Sequence, residues 1–150
     1  MASFVPSSTT VKVLAGSTHF VIAPIVIVYS VFLPLKLGTA WLYVGLIIIA
    51  LGLTMQCMTT ISVANTPLDK PVTQGPYRIL RHPIYFGGFL ILFGMGIASA
   101  SWVVLLCAIL WIAFFHIVVP AEERFLIEKY GDAYREYVER TPRWIGIPKS

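Results

Sequence analysis

The residues best equipped for chemistry fall in two short stretches. The first, Tyr77-Arg78-Ile79-Leu80-Arg81-His82-Pro83-Ile84-Tyr85, gathers two guanidiniums, an imidazole and two phenols. The second, Glu122-Glu123-Arg124, places two carboxylates about 40 residues later. Guanidiniums suit a carboxylate or a phosphate. An imidazole holds or moves a proton near neutral pH, and a carboxylate accepts a hydrogen bond from an amine or a hydroxyl. No CxxC and no His/Cys cluster has ligand spacing, so no metal site is expected. Cys57 and Cys107 lie in apolar runs and are expected to be buried, unpaired thiols. His116 is expected to be packed or bonded to a carbonyl.

The two stretches must be brought together by what lies between them. From Arg81 to Glu122 there are 40 residues without Asp, Glu, Lys or Arg. One helix of that length would be about 60 Å long, twice a hydrocarbon core of about 30 Å. The run should therefore fold back as a helical hairpin, turning at Ser99-Ala100-Ser101, its most polar point. Uncharged runs of 23 residues after Lys12 and 32 after Lys36 precede it. The whole chain is 150 residues long, 57% hydrophobic and 12% charged, with mean hydropathy +0.81. Ordinary soluble domains are about 45–50% apolar and about 25% charged. These values argue against a soluble enzyme, a disordered chain and a disulfide scaffold. They predict an all-α integral membrane protein, a single domain over 1–150 with about four transmembrane helices. The expected spans are 18–35, 39–63, 84–98 and 102–119, followed by an amphipathic C-terminal tail.

Four spans put Lys12, Lys70, Arg78, Arg81, Arg124, Lys129, Arg135, Arg140, Arg143 and Lys149 on one side, and Lys36 alone on the other. Ten against one is a strong bias, so both termini are expected in the cytoplasm. It also accounts for the net charge of +4 without nucleic acid. The first apolar run has no Lys/Arg-rich lead and no convincing cleavage site, so no secretory signal is expected.

Glycines recur every seven residues, at Gly38, Gly45 and Gly52 and again at Gly87 and Gly94. Residues so spaced share a helix face, and small residues there let two backbones approach. Gly88 and Gly96 are expected to widen that small face, and Pro24 and Pro34 to bend or end the first span. The 65–83 loop is rich in Pro and Gly and reads as an ordered turn region or a short reentrant piece. Pro83 suits the first turn of the third span. That helix N-terminus, with Arg78 and Arg81 beside it, is suited either to an anion or to anchoring on lipid head groups. Pro120 is expected to open a new helix with Glu122 and Glu123 in its first turn, where acids are favoured. In 122–140, Phe125, Leu126, Tyr130, Tyr134, Tyr137 and Val138 recur at helical spacing. Gly131 should break this segment and Asp132 cap its second half. Its apolar face either lies on the membrane surface or roofs the pocket formed by the polar residues.

The stretch Gly75-Pro-Tyr-Arg-Ile-Leu-Arg-His-Pro-Ile-Tyr-Phe-Gly87, followed by Glu122-Glu-Arg-Phe-Leu-Ile-Glu-Lys-Tyr-Gly-Asp-Ala-Tyr-Arg-Glu-Tyr137, resembles the isoprenylcysteine carboxyl methyltransferase and phospholipid methyltransferase superfamily. The resemblance covers about 65–145. It implies S-adenosylmethionine as methyl donor, held at the cytoplasmic end of the helices and under the tail. By position, it assigns donor binding to Lys70, Pro71, Val72, Tyr77, His82, Pro83, Ile84, Tyr85 and Glu122. It implies a lipid or small apolar acceptor. Carboxyl-methylating members place an Arg one turn before the first glutamate, where Val118 stands here. A lipid amine, a thiol or another small apolar acceptor is therefore as good a substrate as prenylcysteine carboxylate. Two other readings of the chain are an NADPH-dependent membrane reductase of related fold and a non-catalytic membrane module.

Overall fold

The computed structural model of the chain describes residues 28–29, 32 and 37–144. Among these residues the fold is helical, with no strand. Four α-helices follow in order: α1, Ala40–Ala64; α2, Pro83–Ser99; α3, Trp102–Tyr130; and α4, Asp132–Arg140. A 3-10 turn, Gly75–Arg78, lies in the loop before α2. Helices α1 and α3 are long and apolar enough to cross a membrane, and α2 is a shorter apolar helix. The expected first span, 18–35, with Pro24 and Pro34, lies outside the described residues except for Val28, Tyr29 and Phe32.

The hairpin turns where the polar triplet placed it. Helix α2 stops at Ser99, Ala100 adopts the left-handed conformation with φ 50°, and α3 begins at Trp102. The Ser101 N–H donates to the Gly96 carbonyl at 2.9 Å and the Ala100 N–H to that of Ile97 at 3.0 Å. This paired closure satisfies carbonyls that a helix end otherwise leaves without partners.

The glycine stripe is the seam between α1 and α2. A Cβ built on Gly45 would lie 2.6 Å from the Gly94 carbonyl oxygen, and one on Gly94 would lie 2.8 Å from that of Gly45. One turn-pair along, a Cβ on Gly52 would stand 2.9 Å from the Gly87 carbonyl oxygen. Backbone meets backbone at both levels, so hydrogen is the only side chain that fits. Gly38 is not part of this seam: it precedes α1 with φ +75° and open space around it. Gly88 and Gly96 do not widen it either. They face α3, against Trp111 and Leu105.

Three further expectations change. Pro120 does not open a helix; α3 runs through it to Tyr130. The cost is one backbone bond, because proline has no N–H to offer the His116 carbonyl. Glu122 and Glu123 therefore sit in a helix interior, and the first-turn account of them falls. The break at Gly131 is real, with φ 60° and ψ −132°. Gly131 itself is the residue before α4, however, and Asp132 is the first helical residue and makes no capping hydrogen bond. The cysteines are free as expected, but Cys57 is exposed on α1 rather than buried.

Candidate functional site

The start of α2, the 3-10 turn, the last turns of α3 and helix α4 converge at one end of the bundle. Pro83 is the first residue of α2 and is buried. Gln56 of α1 donates from Nε2 to the Ile84 carbonyl at 3.1 Å, and Trp111 of α3 donates from Nε1 to the Tyr85 carbonyl at 3.2 Å. These two bonds pin the first turn of α2 to both neighbours. The Tyr85 ring stacks on Phe115 with centroids 3.9 Å apart. Its hydroxyl donates to Glu122 Oε2 at 2.8 Å.

Adjacent residues on a helix project about 100° apart, and the two glutamates do different things. Glu123 points into the protein, its side chain 8% exposed. Arg81 Nη1 stands 2.9 Å from its carboxylate, His82 Nε2 3.2 Å and Arg143 Nη2 2.5 Å. Burial works against ionisation of Glu123. The hydrogen bonds from His82 and Arg143 and the charge of Arg81 outweigh it and hold the carboxyl down at about 2. The same hydrogen bond to Glu123 raises Arg143. This group lies past the apolar 102–119 part of α3. Glu122 keeps 35% of its side chain exposed and faces a cavity.

That cavity has a volume of about 170 Å³. Its floor carries Ile84, Tyr85, His82 and Glu122, and Pro71, Val72 and Tyr77 form one wall. Leu126 and Tyr130 of α3 and Tyr134 and Tyr137 of α4 complete it. The Tyr137 hydroxyl donates to the Tyr77 carbonyl at 2.8 Å, tying α4 to the loop. The Arg81 N–H donates to the Pro142 carbonyl at 3.1 Å, tying the chain beyond α4 to the same place. Burial, with Glu122 beside it, pushes the Tyr77 hydroxyl up to about 12. Burial also raises Tyr134 and Tyr137, so all three phenols stay protonated and able to donate.

Arg81 also faces this cavity, and its Nε is buried without a hydrogen-bond partner. Pro71 and Tyr137 are shared with a larger groove of about 700 Å³, lined also by Lys70, Arg78 and Arg140. A second neighbour, of about 320 Å³, lies on the other side of Tyr85 between α2 and α3.

A family comparison fits this arrangement. Residues 38–133 match the phospholipid methyltransferase family. The chain belongs to that family. It is 32% identical to protein-S-isoprenylcysteine O-methyltransferase B of Arabidopsis thaliana, over 95% of this chain and 80% of that protein. It is 29% identical to the cobalt-zinc-cadmium resistance protein CzcN of Cupriavidus metallidurans, over 69% of this chain and 48% of that one. It is 38% identical to methanethiol S-methyltransferase 1 of Bradyrhizobium diazoefficiens, over 46% of this chain and 24% of that one. The chain thus spans about half the length of the resistance protein and about a quarter of the methanethiol enzyme.

Within this phospholipid methyltransferase fold, seven of the nine residues singled out from the sequence line one cavity: Pro71, Val72, Tyr77, His82, Ile84, Tyr85 and Glu122. Lys70 lies in the adjoining groove, and Pro83 is buried behind the floor. Arg81 commits its Nη1 to Glu123 and keeps only its Nε unpaired, so it is not a free guanidinium beside a helix dipole. Val118, at the position of the family Arg, is 1% exposed in the core. His116 is not packed as expected; it is exposed, with its ring 5.2 Å from that of Trp144. Sequence reasoning missed Arg143. Nothing in its spacing marks it; the chain beyond α4 must fold back before it meets Glu123.

Proposed function

We propose that this protein is an integral membrane methyltransferase that binds S-adenosylmethionine at the cytoplasmic ends of its helices. In this reading it has four spans and cytoplasmic termini, and the segment after residue 119 covers the donor. The single observation that carries the donor assignment is the cavity around Glu122. It collects residues from the 71–85 stretch, the end of α3 and α4 around one open space, and polar groups gathered at the ends of apolar helices mark a functional site by default. The side of the membrane rests on the ten-to-one distribution of Lys and Arg.

The lining fits the chemistry of the donor. A carboxylate finds the Arg81 Nε, which has no other partner. An amine or a ribose hydroxyl finds Glu122, already oriented by the Tyr85 hydroxyl. A sulfonium finds aromatic faces at Tyr85, Tyr130, Tyr134 and Tyr137. Pro71 and Val72 offer apolar surface to a purine. The cavity is small for a nucleoside bearing an amino-acid tail, and the groove shared at Pro71 and Tyr137 supplies the remaining room.

When bound, the donor supplies a methyl group already activated by its positive sulfur. The chain's own work is then alignment and exclusion of water. Glu123, clamped by Arg81, His82 and Arg143, fixes α3 against α2 and so fixes Glu122 and Tyr85 relative to each other. Calorimetry with S-adenosylmethionine on the detergent-purified protein tests the reading. Binding by the wild type that falls in Glu122→Gln, with an unchanged melting temperature, is the expected result. Absence of binding by the folded wild type would remove it.

A further inference from the structure

Tyr85 divides two cavities. On one side is the Glu122 cavity; on the other is a space of about 320 Å³ between α2 and α3. The second is walled by Phe86 and Phe89 of α2, by Trp111, Phe115 and His116 of α3, and by Trp144. Among the described residues no Lys, Arg, Asp or Glu faces it. Two of its polar atoms are already committed, the Tyr85 hydroxyl to Glu122 and the Trp111 Nε1 to the Tyr85 carbonyl. The His116 ring has Trp144 as its neighbour and makes no hydrogen bond to the described residues. His116 lies six residues before Glu122 on the same helix, about 9 Å along its axis.

We propose that this aromatic cavity takes the methyl acceptor, that the acceptor is an apolar thiol, and that His116 receives its proton. The inference rests on the methyltransferase reading above. A carboxylate placed here would be a charge without a cation, which burial penalises heavily. An amine would enter as an ammonium, whose charge meets no carboxylate among the described wall residues, and burial penalises that charge too. A thiol is neutral and soft, and it packs well against aromatic edges. On methylation its S–H bond breaks and an S–CH3 bond forms. The carbon–sulfur bond on the donor side breaks with its electron pair, leaving a neutral thioether. The thiol proton passes to the imidazole of His116, which carries the positive charge until solvent removes it.

The test uses the full chain in detergent with two readouts. The first is crosslinking by octanethiol bearing a terminal diazirine, mapped by peptide mass. Labelling of α2 and α3 around Phe89 and Trp111 should be displaced by octanethiol and not by octanoate or octylamine. Displacement by octanoate instead, or labelling spread evenly over lipid-facing helices, would overturn the assignment of the cavity. The second is methyl transfer to octanethiol and to an aryl thiol that is already a thiolate at neutral pH. His116→Ala should slow the alkyl thiol about 100-fold, the lower range for a positioned proton acceptor, and leave the aryl thiol within about threefold of wild type. Equal losses for both thiols would show that His116 only shapes the wall. Faster methylation of octanoate would refute the thiol class while leaving methyl transfer standing. Transfer to none of these acceptors, with no donor binding by calorimetry, would instead refute the methyltransferase reading.

Discussion

Helix α2 is held on its two sides by opposite means. Toward α1 it presents Gly87 and Gly94, and the contact is backbone on backbone. Toward α3 it presents Gly88 and Gly96, but these receive Trp111 and Leu105, and rings from Tyr85, Phe89 and Phe93 fill the rest. The first contact leaves no room for anything. The second is propped apart by large rings and borders cavities on both sides of Tyr85. In a bilayer, where burial of apolar surface from water gives helices no reason to associate, close packing of small residues is a sufficient glue. A face that borders two cavities cannot use it. Something else has to hold α3 in place, and the ion cluster on Glu123 is placed to do so.

The largest effect should come from removing that cluster. Glu123→Gln leaves Arg81 and Arg143 without a counter-charge, and breaking a buried pair from one side typically costs about 3–5 kcal/mol. Arg143 is 40% exposed and can turn to water, while Arg81 is 11% exposed and cannot, so the cost should fall at the lower end. A melting curve in detergent checks it. A fall of less than about 1 kcal/mol would mean that ring stacking alone holds α3, and that the two faces of α2 differ less than the geometry suggests.

The seam should respond next. Gly45→Leu drives a side chain into the Gly94 carbonyl and the backbone of Ala98, neither of which can swing aside. Overpacking of this kind costs about 1–3 kcal/mol, occasionally more. Gly88→Ala is the matched control on the other face: its Cβ would meet Trp111 at 3.0 Å, a side chain that can shift. Near-equal melting temperatures for the two variants would erase the distinction between the faces.

Much of this contrast can be read in the sequence, and the reasons are local. Gly45, Gly52, Gly87 and Gly94 repeat at seven, which is a statement about one helix face and needs no tertiary information. The hairpin turn follows from a length that one helix cannot span and from a single polar triplet. What helical spacing alone does not tell, and only the family resemblance picks out, is which of two neighbouring carboxylates faces the cavity. Glu122 and Glu123 differ by about 100° of helix rotation, and only the packing of α3 on α2 sets the phase. Pro120 adds to this: a proline after an apolar run reads as a boundary, and here tertiary contacts carry the helix through it. Arg143 and Trp144 are further still from local inference, because their roles depend on how the chain returns after α4.

A smaller, sharper effect separates the two glutamates. Glu122→Gln keeps shape and removes charge at a side chain that is 35% exposed, so the fold should tolerate it. Loss of a charge-assisted hydrogen bond is worth about 1.5–3 kcal/mol, so affinity for S-adenosylmethionine should fall about ten- to a hundredfold by calorimetry. Glu123→Gln should show the reverse emphasis, with stability lost first. If both variants lose stability alike and neither loses affinity, the cavity is a packing feature and the donor lies elsewhere.

The smallest effect is in the titration of the roof. Tyr77, Tyr134 and Tyr137 are all raised, chiefly by burial, and Tyr77 reaches about 12 from an ordinary value of 10.0. For an acid whose neutral form is favoured in the fold, the sign is definite. Below pH 10 the phenols are protonated in both folded and unfolded chains, and their contribution to stability is complete. Above about 10 the unfolded chain ionises first, and that contribution is progressively lost, for Tyr77 by about 12. Phenolate absorbance of the folded protein should therefore show a late step from the roof tyrosines. Tyr77→Phe should remove one equivalent from the late step. Because Glu122 is part of what holds Tyr77 up, Glu122→Gln should bring that equivalent to lower pH. A late step that ignores Glu122 would place Tyr77 outside the reach of its carboxylate and would separate the loop wall of the cavity from its floor.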